Sequence, residues 1–177
     1  GGDDTLIFSK GHDTLEGGTG TDTVVYAGVT AVVNANLLTK LGTVADGSSQ
    51  EFRSIENLTG GAGSDILVGN DSANTLLGMV GNDSILGGAG DDNLQGGDGA
   101  DSLVGGAGAD ILSGGSGIDT VSYASSSAKV TVDLTLTDRG PADPLNDGAG
   151  DALIGVESII GSAGDDVFFA SVDAVTI

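Results

Sequence analysis

Residues 60–122 divide into seven consecutive nine-residue units with no insertion or deletion: GGAGSDILV, GNDSANTLL, GMVGNDSIL, GGAGDDNLQ, GGDGADSLV, GGAGADILS and GGSGIDTVS. Position 1 is always Gly, position 4 is Gly except at Ser72, position 6 is Asp except at Asn74, and position 8 is always Leu, Ile or Val. A short fixed period admits few architectures, because one such unit cannot bury its apolar side chain alone and neighbouring units must stack. The same register recurs at residues 8–16 (FSKGHDTLE), 17–25 (GGTGTDTVV) and 161–169 (GSAGDDVFF), and residues 2–6 have the form of the tail of another unit.

Each unit reads as a six-residue turn followed by a three-residue strand whose middle side chain points inward, and two units close one coil. Leu67, Leu76, Ile85, Leu94, Leu103, Leu112 and Val121 then stack into a narrow apolar column, each contributing about 1.5–3 kcal/mol when fully buried. Glycines at positions 1, 2 and 4 allow positive-φ turns and close stacking of one turn on the next. The expectation is an all-β chain, a right-handed parallel β-roll (a β-solenoid), with two longer inserts that add strands or loops. Three segments are expected: 1–59, with a first insert at 26–59; the tandem block 60–122; and 123–177, with the second insert and a final unit.

The acids fit this frame. There are 26 acidic and 5 basic residues, a net charge of −21, and nearly all the acids are Asp, the residue of turns and metal loops rather than of helices. Such a charge disfavours nucleic acid and anionic membrane surfaces and favours cations. If two units make a coil, position-6 carboxylates two units apart face one gap between turns. Asp65, Asp83, Asp101 and Asp119 form one edge, and Asn74, Asp92 and Asp110 the other. Stacked carboxylates raise one another's pKa unless a cation lies between them. Calcium suits the gap, since it takes six to eight oxygens at about 2.3–2.6 Å in flexible geometry, and the turns supply carbonyls beside the carboxylates.

The candidate metal-binding residues are therefore Asp4, Asp13, Asp22, Asp65, Asp83, Asp92, Asp101, Asp110, Asp119 and Asp166. The turn glycines Gly61, Gly63, Gly81, Gly88, Gly90, Gly97, Gly99, Gly106 and Gly108 accompany them. The pairs Asp4/Asp22, Asp65/Asp83, Asp83/Asp101, Asp101/Asp119 and Asp92/Asp110 are the five best-matched sites, whereas Asn74/Asp92 departs from the pattern.

The units resemble the GGxGxDxUx nonapeptide of the RTX (repeats-in-toxin, haemolysin-type calcium-binding) family. The resemblance implies a calcium-loaded parallel β-roll and export by type I secretion into a calcium-rich exterior, where the protein is secreted or held at the bacterial surface.

Two longer stretches interrupt the units and resemble each other: TVVYA at 23–27 and IENLTG at 55–60 match TVSYA at 120–124 and VESIIG at 156–161, at an offset of about 100 residues. Within the inserts, Val33, Ala35 and Leu37 alternate with polar residues, as do Val130, Val132, Leu134 and Leu136, and each set predicts a strand. Residues 138–151, which hold both prolines, read as a surface loop with room for an extra calcium. Tyr26 and Tyr123 read as packing caps where roll gives way to insert, and Glu56 and Glu157 as structural members of a repeated strand motif rather than a glycosidase pair.

The chain has no Cys and one His, which excludes disulfides, Cys-ligated zinc and thiol nucleophiles. His12 alone cannot make a zinc site and reads as a surface residue. HExxH, GxSxG and Walker motifs are missing, so no catalysis is expected. No apolar run approaches the roughly 20 residues that span a bilayer. No signal peptide is visible at the amino end, which is compatible with a fragment, and no finished secretion signal follows Phe169, so the chain is expected to continue. The expected function is a calcium-responsive scaffold in an adhesin, surface-layer or filament protein, with self-association through the open ends of the roll. The alternative is the carboxy-terminal folding module of an exoenzyme (protease, lipase or epimerase), or the repeat domain of a toxin.

Overall fold

The computed structural model describes residues 1–133 and 150–169. Its strands are β1 (Thr5–Ile7), β2 (His12–Glu16), β3 (Thr23–Val25), β4 (Val33–Asn36), β5 (Leu41–Val44), β6 (Ser49–Arg53), β7 (Asn57–Thr59), β8 (Ile66–Val68) and β9 (Thr75–Val80). They continue as β10 (Ser84–Ala89), β11 (Asn93–Asp98), β12 (Ser102–Ala107), β13 (Ile111–Ser116), β14 (Thr120–Ser122), β15 (Thr131–Asp133), β16 (Ala152–Ile154), β17 (Ser158–Ile160) and β18 (Val167–Phe169).

Successive units alternate between two sheets, so each strand pairs in parallel with the strand two units on. One sheet runs β1-β3-β7-β9-β11-β13-β16, and the other β17-β14-β12-β10-β8-β4-β5-β6-β2. The register sets Leu76 beside Leu94 and Leu94 beside Leu112 in the first sheet, and Leu67, Ile85, Leu103 and Val121 in line in the second. These side chains are fully buried and face one another across the roll. The fold is the parallel β-roll that the nonapeptide period predicts. Strands β9 to β13, however, are six residues long rather than three, because each continues from positions 7–9 of one unit into positions 1–3 of the next.

Alternation along such a strand carries the inward face from position 6 through position 8 to position 1 of the following unit. Thus Asp83, Ile85 and Gly87 are all buried, as are Asp92, Leu94 and Gly96. The roll interior is therefore not a pure apolar column: on each sheet a row of Leu or Ile is flanked by a row of Asp and a row of Gly.

The first insert adds strands to the second sheet. β4 pairs in parallel with β8, β5 is antiparallel to both β4 and β6, and β6 pairs in parallel with β2. Val33, Ala35 and Leu37 turn into the core, as their alternation predicts. In the second insert Val130 and Val132 are buried, and β15 pairs with β18; Leu134, Leu136 and residues 138–149 lie outside the described residues. The two inserts share the same joints. Val33 donates its N–H to Asp65 Oδ1 at 2.8 Å and Val130 to Asp166 Oδ1 at 2.9 Å, while Tyr26 and Tyr123 donate theirs to the carbonyls of Thr59 and Ile160.

Candidate cation sites in two carboxylate columns

A strand's period of two turns the position-6 side chain into the roll, and only the Gly at position 1 of the same unit leaves room for it. A β-carbon on Gly96 would lie 2.6 Å from the Gly114 carbonyl oxygen and collide with Asp101 Oδ2; Gly78 and Gly87 stand in the same relation to Asp83 and Asp92. The φ of these position-1 glycines lies outside the left-handed region, so close approach selects them. Conformation and close approach together select the glycines at positions 2 and 4: Gly97 and Gly99 have φ of 115° and 153°, and a β-carbon on them would meet the carbonyls of Met79 and Gly81. Gly81, Gly88, Gly90, Gly106 and Gly108 are left-handed likewise, whereas Gly61 and Gly63 abut the backbone of Val29 and Ala31 in the first insert.

The carboxylates form two ladders held by the backbone of the preceding coil. In one, the N–H of Asp65 donates to Asp83 Oδ1 at 2.7 Å, that of Asp83 to Asp101 at 2.8 Å, and that of Asp101 to Asp119 at 2.8 Å. In the other, Asp4 donates to Asp22 at 2.7 Å, Asn74 to Asp92 at 2.8 Å, and Asp92 to Asp110 at 2.8 Å. All five expected pairs are adjacent, and the Asn74/Asp92 step has the same hydrogen bond. Asp22, Asp65, Asp83, Asp92, Asp101, Asp110 and Asp119 are at most 2% exposed, so the gaps that these carboxylates face lie inside the roll.

Two candidates stand apart. Asp13 is half-buried on β2 beside Gln50 rather than a carboxylate, and accepts a hydrogen bond from Ser9 Oγ at 3.0 Å. Asp166 accepts from Val130 N–H, Ser162 N–H and Ser162 Oγ, and the Ser162 hydroxyl bond holds its carboxyl below the usual range.

The second oxygen of the ladder carboxylates decides the chemistry. Oδ2 of Asp22, Asp83, Asp92, Asp101 and Asp119 is buried without a hydrogen-bond partner, and an unsatisfied buried acceptor costs about 1–3 kcal/mol. Burial pushes Asp83 up to about 6, with Asp65 and Asp101 adding repulsion, and pushes Asp92 up to about 7, with Asp110 and Asp91 adding to it. Asp65 and Asp101 are raised by burial as well. The ion pairs of Lys10 and Arg53 go to Asp46, Glu16 and Glu51 at the surface, away from the columns.

A stack of interior anions with unused lone pairs asks for positive charge. The available donors are all oxygen: a ladder carboxylate and, across the position-1 glycine, the carbonyl of the next coil, as with Asp101 Oδ2 and Gly114 O over Gly96. Among the described residues no three His, Cys, Asp or Glu side chains gather in one place, so backbone carbonyls must make up the donor set. That composition fits a hard divalent cation of flexible coordination, calcium before magnesium. The residues that would hold it are the ladder aspartates and the position-1 glycine carbonyls.

The columns extend further than the nonapeptides. Asp22 donates its N–H to Glu56 Oε2 at 2.8 Å, Asp119 to Glu157 Oε2 at 2.9 Å, and Asp110 to Asp151 Oδ1 at 2.9 Å. Sequence reasoning read Glu56 and Glu157 as structural and did not place them in the ladders. The available signal is that each precedes a strand whose middle residue, Leu58 or Ile159, is in line with the inward row. Tyr26 and Tyr123 are fully buried caps, as expected; their hydroxyls donate to Gln50 Oε1 and Asp151 Oδ2. His12 is exposed, its Nδ1 2.7 Å from Ser49 Oγ.

A family model described as RTX calcium-binding nonapeptide repeat matches in four copies, over residues 1–28, 54–85, 86–121 and 152–174, well over half of the chain. No curated protein matches it.

Proposed function

Since this chain belongs to the RTX calcium-binding nonapeptide repeat family, we propose that it is a calcium-responsive scaffold that folds after export, as part of a secreted adhesin, surface-layer or filament protein. The observation that carries the reading is the row of buried ladder carboxylates with unpartnered Oδ2 atoms. When bound, calcium supplies the positive charge and oxygen coordination that these groups lack. Without it, the interior aspartates repel one another and must hold protons to stay buried, and the net charge of −21 expands the chain. The apolar rows alone are too thin to outweigh chain entropy. Cation binding therefore becomes folding free energy. At the affinities of about 10⁻⁴–10⁻³ M usual for extracellular calcium modules, a calcium-rich exterior loads the columns and the cytosol does not.

One feature supports a scaffold over a catalytic part. The joints of the two inserts repeat at an offset of about 100 residues, as in an array built from a larger module.

Sedimentation velocity of the chain in excess chelator and in millimolar calcium tests this reading. The expected result is a slow, expanded species that becomes compact with calcium, and larger species in calcium alone would add self-association. An identical compact boundary in both buffers would overturn the switch.

A further inference from the structure

At two places the chain turns the corner between sheets by a shorter route. In the array the inward residues are nine apart, as from Ile85 to Leu94; at the corners they are six apart, Phe52 to Leu58 and Leu153 to Ile159. Three residues of turn are missing, and each corner uses a left-handed residue, Ser54 (φ 50°) or Gly155 (φ 57°). In both, the acid two residues later is Glu, whose extra methylene compensates for the tighter path: Glu56 and Glu157 accept the N–H bonds of Asp22 and Asp119 that a position-6 Asp accepts elsewhere.

The rest of the oxygen set is rebuilt as well. Above Gly17, a β-carbon would meet Asp22 Oδ2 and the Ser54 carbonyl; above Gly114, it would meet Asp119 Oδ2 and the Gly155 carbonyl. This is the arrangement of Asp101 Oδ2 and the Gly114 carbonyl over Gly96 in the array. Asp22 and Asp119 are fully buried, and their Oδ2 atoms have no hydrogen-bond partner.

We propose that the corners are two further divalent-cation sites outside the glycine–aspartate pattern, one formed by Asp22, Glu56 and the Ser54 carbonyl, the other by Asp119, Glu157 and the Gly155 carbonyl. The proposal rests on the calcium-binding reading above, and its test separates the two. Bound calcium ions are counted by native mass spectrometry in the wild type, Glu56→Gln, Glu157→Gln and the double variant, with compactness in calcium checked by sedimentation. Glutamine keeps an acceptor for the Asp22 or Asp119 N–H but removes the charge and one ligand oxygen. The expected count falls by one ion in each single variant and by two in the double, with compact species throughout. Compact variants with an unchanged count would overturn the corner sites and leave the array untouched, whereas a wild type that takes up no calcium would overturn both readings. If a Gln variant stays expanded, the loaded wild type labelled with carbon-13 at its four glutamates decides by infrared spectroscopy. Shifted carboxylate bands from two of them support the proposal, and bands all at the free-anion position refute it.

Discussion

Two kinds of glycine share the nonapeptide, and substitutions tell them apart. Gly96→Ala puts a methyl against Asp101 Oδ2 and the Gly114 carbonyl, an overpacking that should cost about 1–3 kcal/mol and lower the denaturant midpoint in calcium. Position 2 demands conformation as well as space, since a β-carbon on Gly97 would also meet the Met79 carbonyl. Met79 occupies it with φ of 84°, where Gly88, Gly97 and Gly106 have 123°, 115° and 110°. A left-handed residue with a β-carbon costs about 1–2 kcal/mol, while the entropy of a new glycine returns about 0.5–1 kcal/mol of that. Met79→Gly should thus gain about 0.5–1 kcal/mol, read as a higher melting temperature at saturating calcium.

Among the elements, the strand ends capped by Tyr26 and Tyr123 offer an internal comparison. Tyr26 donates to the neutral Gln50 amide at 3.2 Å, and Tyr123 to the Asp151 carboxylate at 2.8 Å. Bonds to charged acceptors are worth about 1.5–3 kcal/mol against about 0.5–1.5 for neutral ones, so Tyr123→Phe should destabilise more than Tyr26→Phe in paired urea titrations. Equal losses would contradict this ranking. The array strands were legible because the nine-residue period fixes which residue faces in, and the same period correctly placed Asp65, Asp83, Asp101 and Asp119 in one column. It could not reveal the corners, where three missing residues shift Glu56 and Glu157 out of phase with the pattern that identifies a ligand. Nor could it foresee that β4, β5 and β6 intervene between β2 and β8, which is why Asp13 has Gln50 beside it. The hairpins themselves are marked by Asn36, whose side chain accepts the Thr39 N–H, and by Asp46 preceding left-handed Gly47.

For the molecule as a whole, the interior carboxylates set opposite pH responses with and without calcium. Asp83 and Asp92 rise from 3.8 to about 6 and about 7 on folding. In chelator the folded chain therefore holds protons that the unfolded chain has released between about pH 4 and 7, and stability falls as pH rises through that window. Below it both states are protonated and these groups contribute no slope. With calcium present the ligands must be deprotonated, and the slope reverses. In chelator, sedimentation should therefore find the chain more compact at pH 4.5 than at 7.5, whereas in calcium the urea midpoint should rise between the same two pH values; a chelated chain that grows more compact as pH climbs would show that the columns are not buried as described. The register of the ladders has a final consequence for how such a chain can change length. Because consecutive units lie on opposite sheets and each Asp meets the one 18 residues away, length is quantised in whole coils. Loss of 18 residues from the array leaves every downstream residue on its own sheet, whereas loss of nine exchanges the sheets and deals each later carboxylate into the wrong column. Variation in a gene of this kind is thus subject to a parity rule that no single residue encodes.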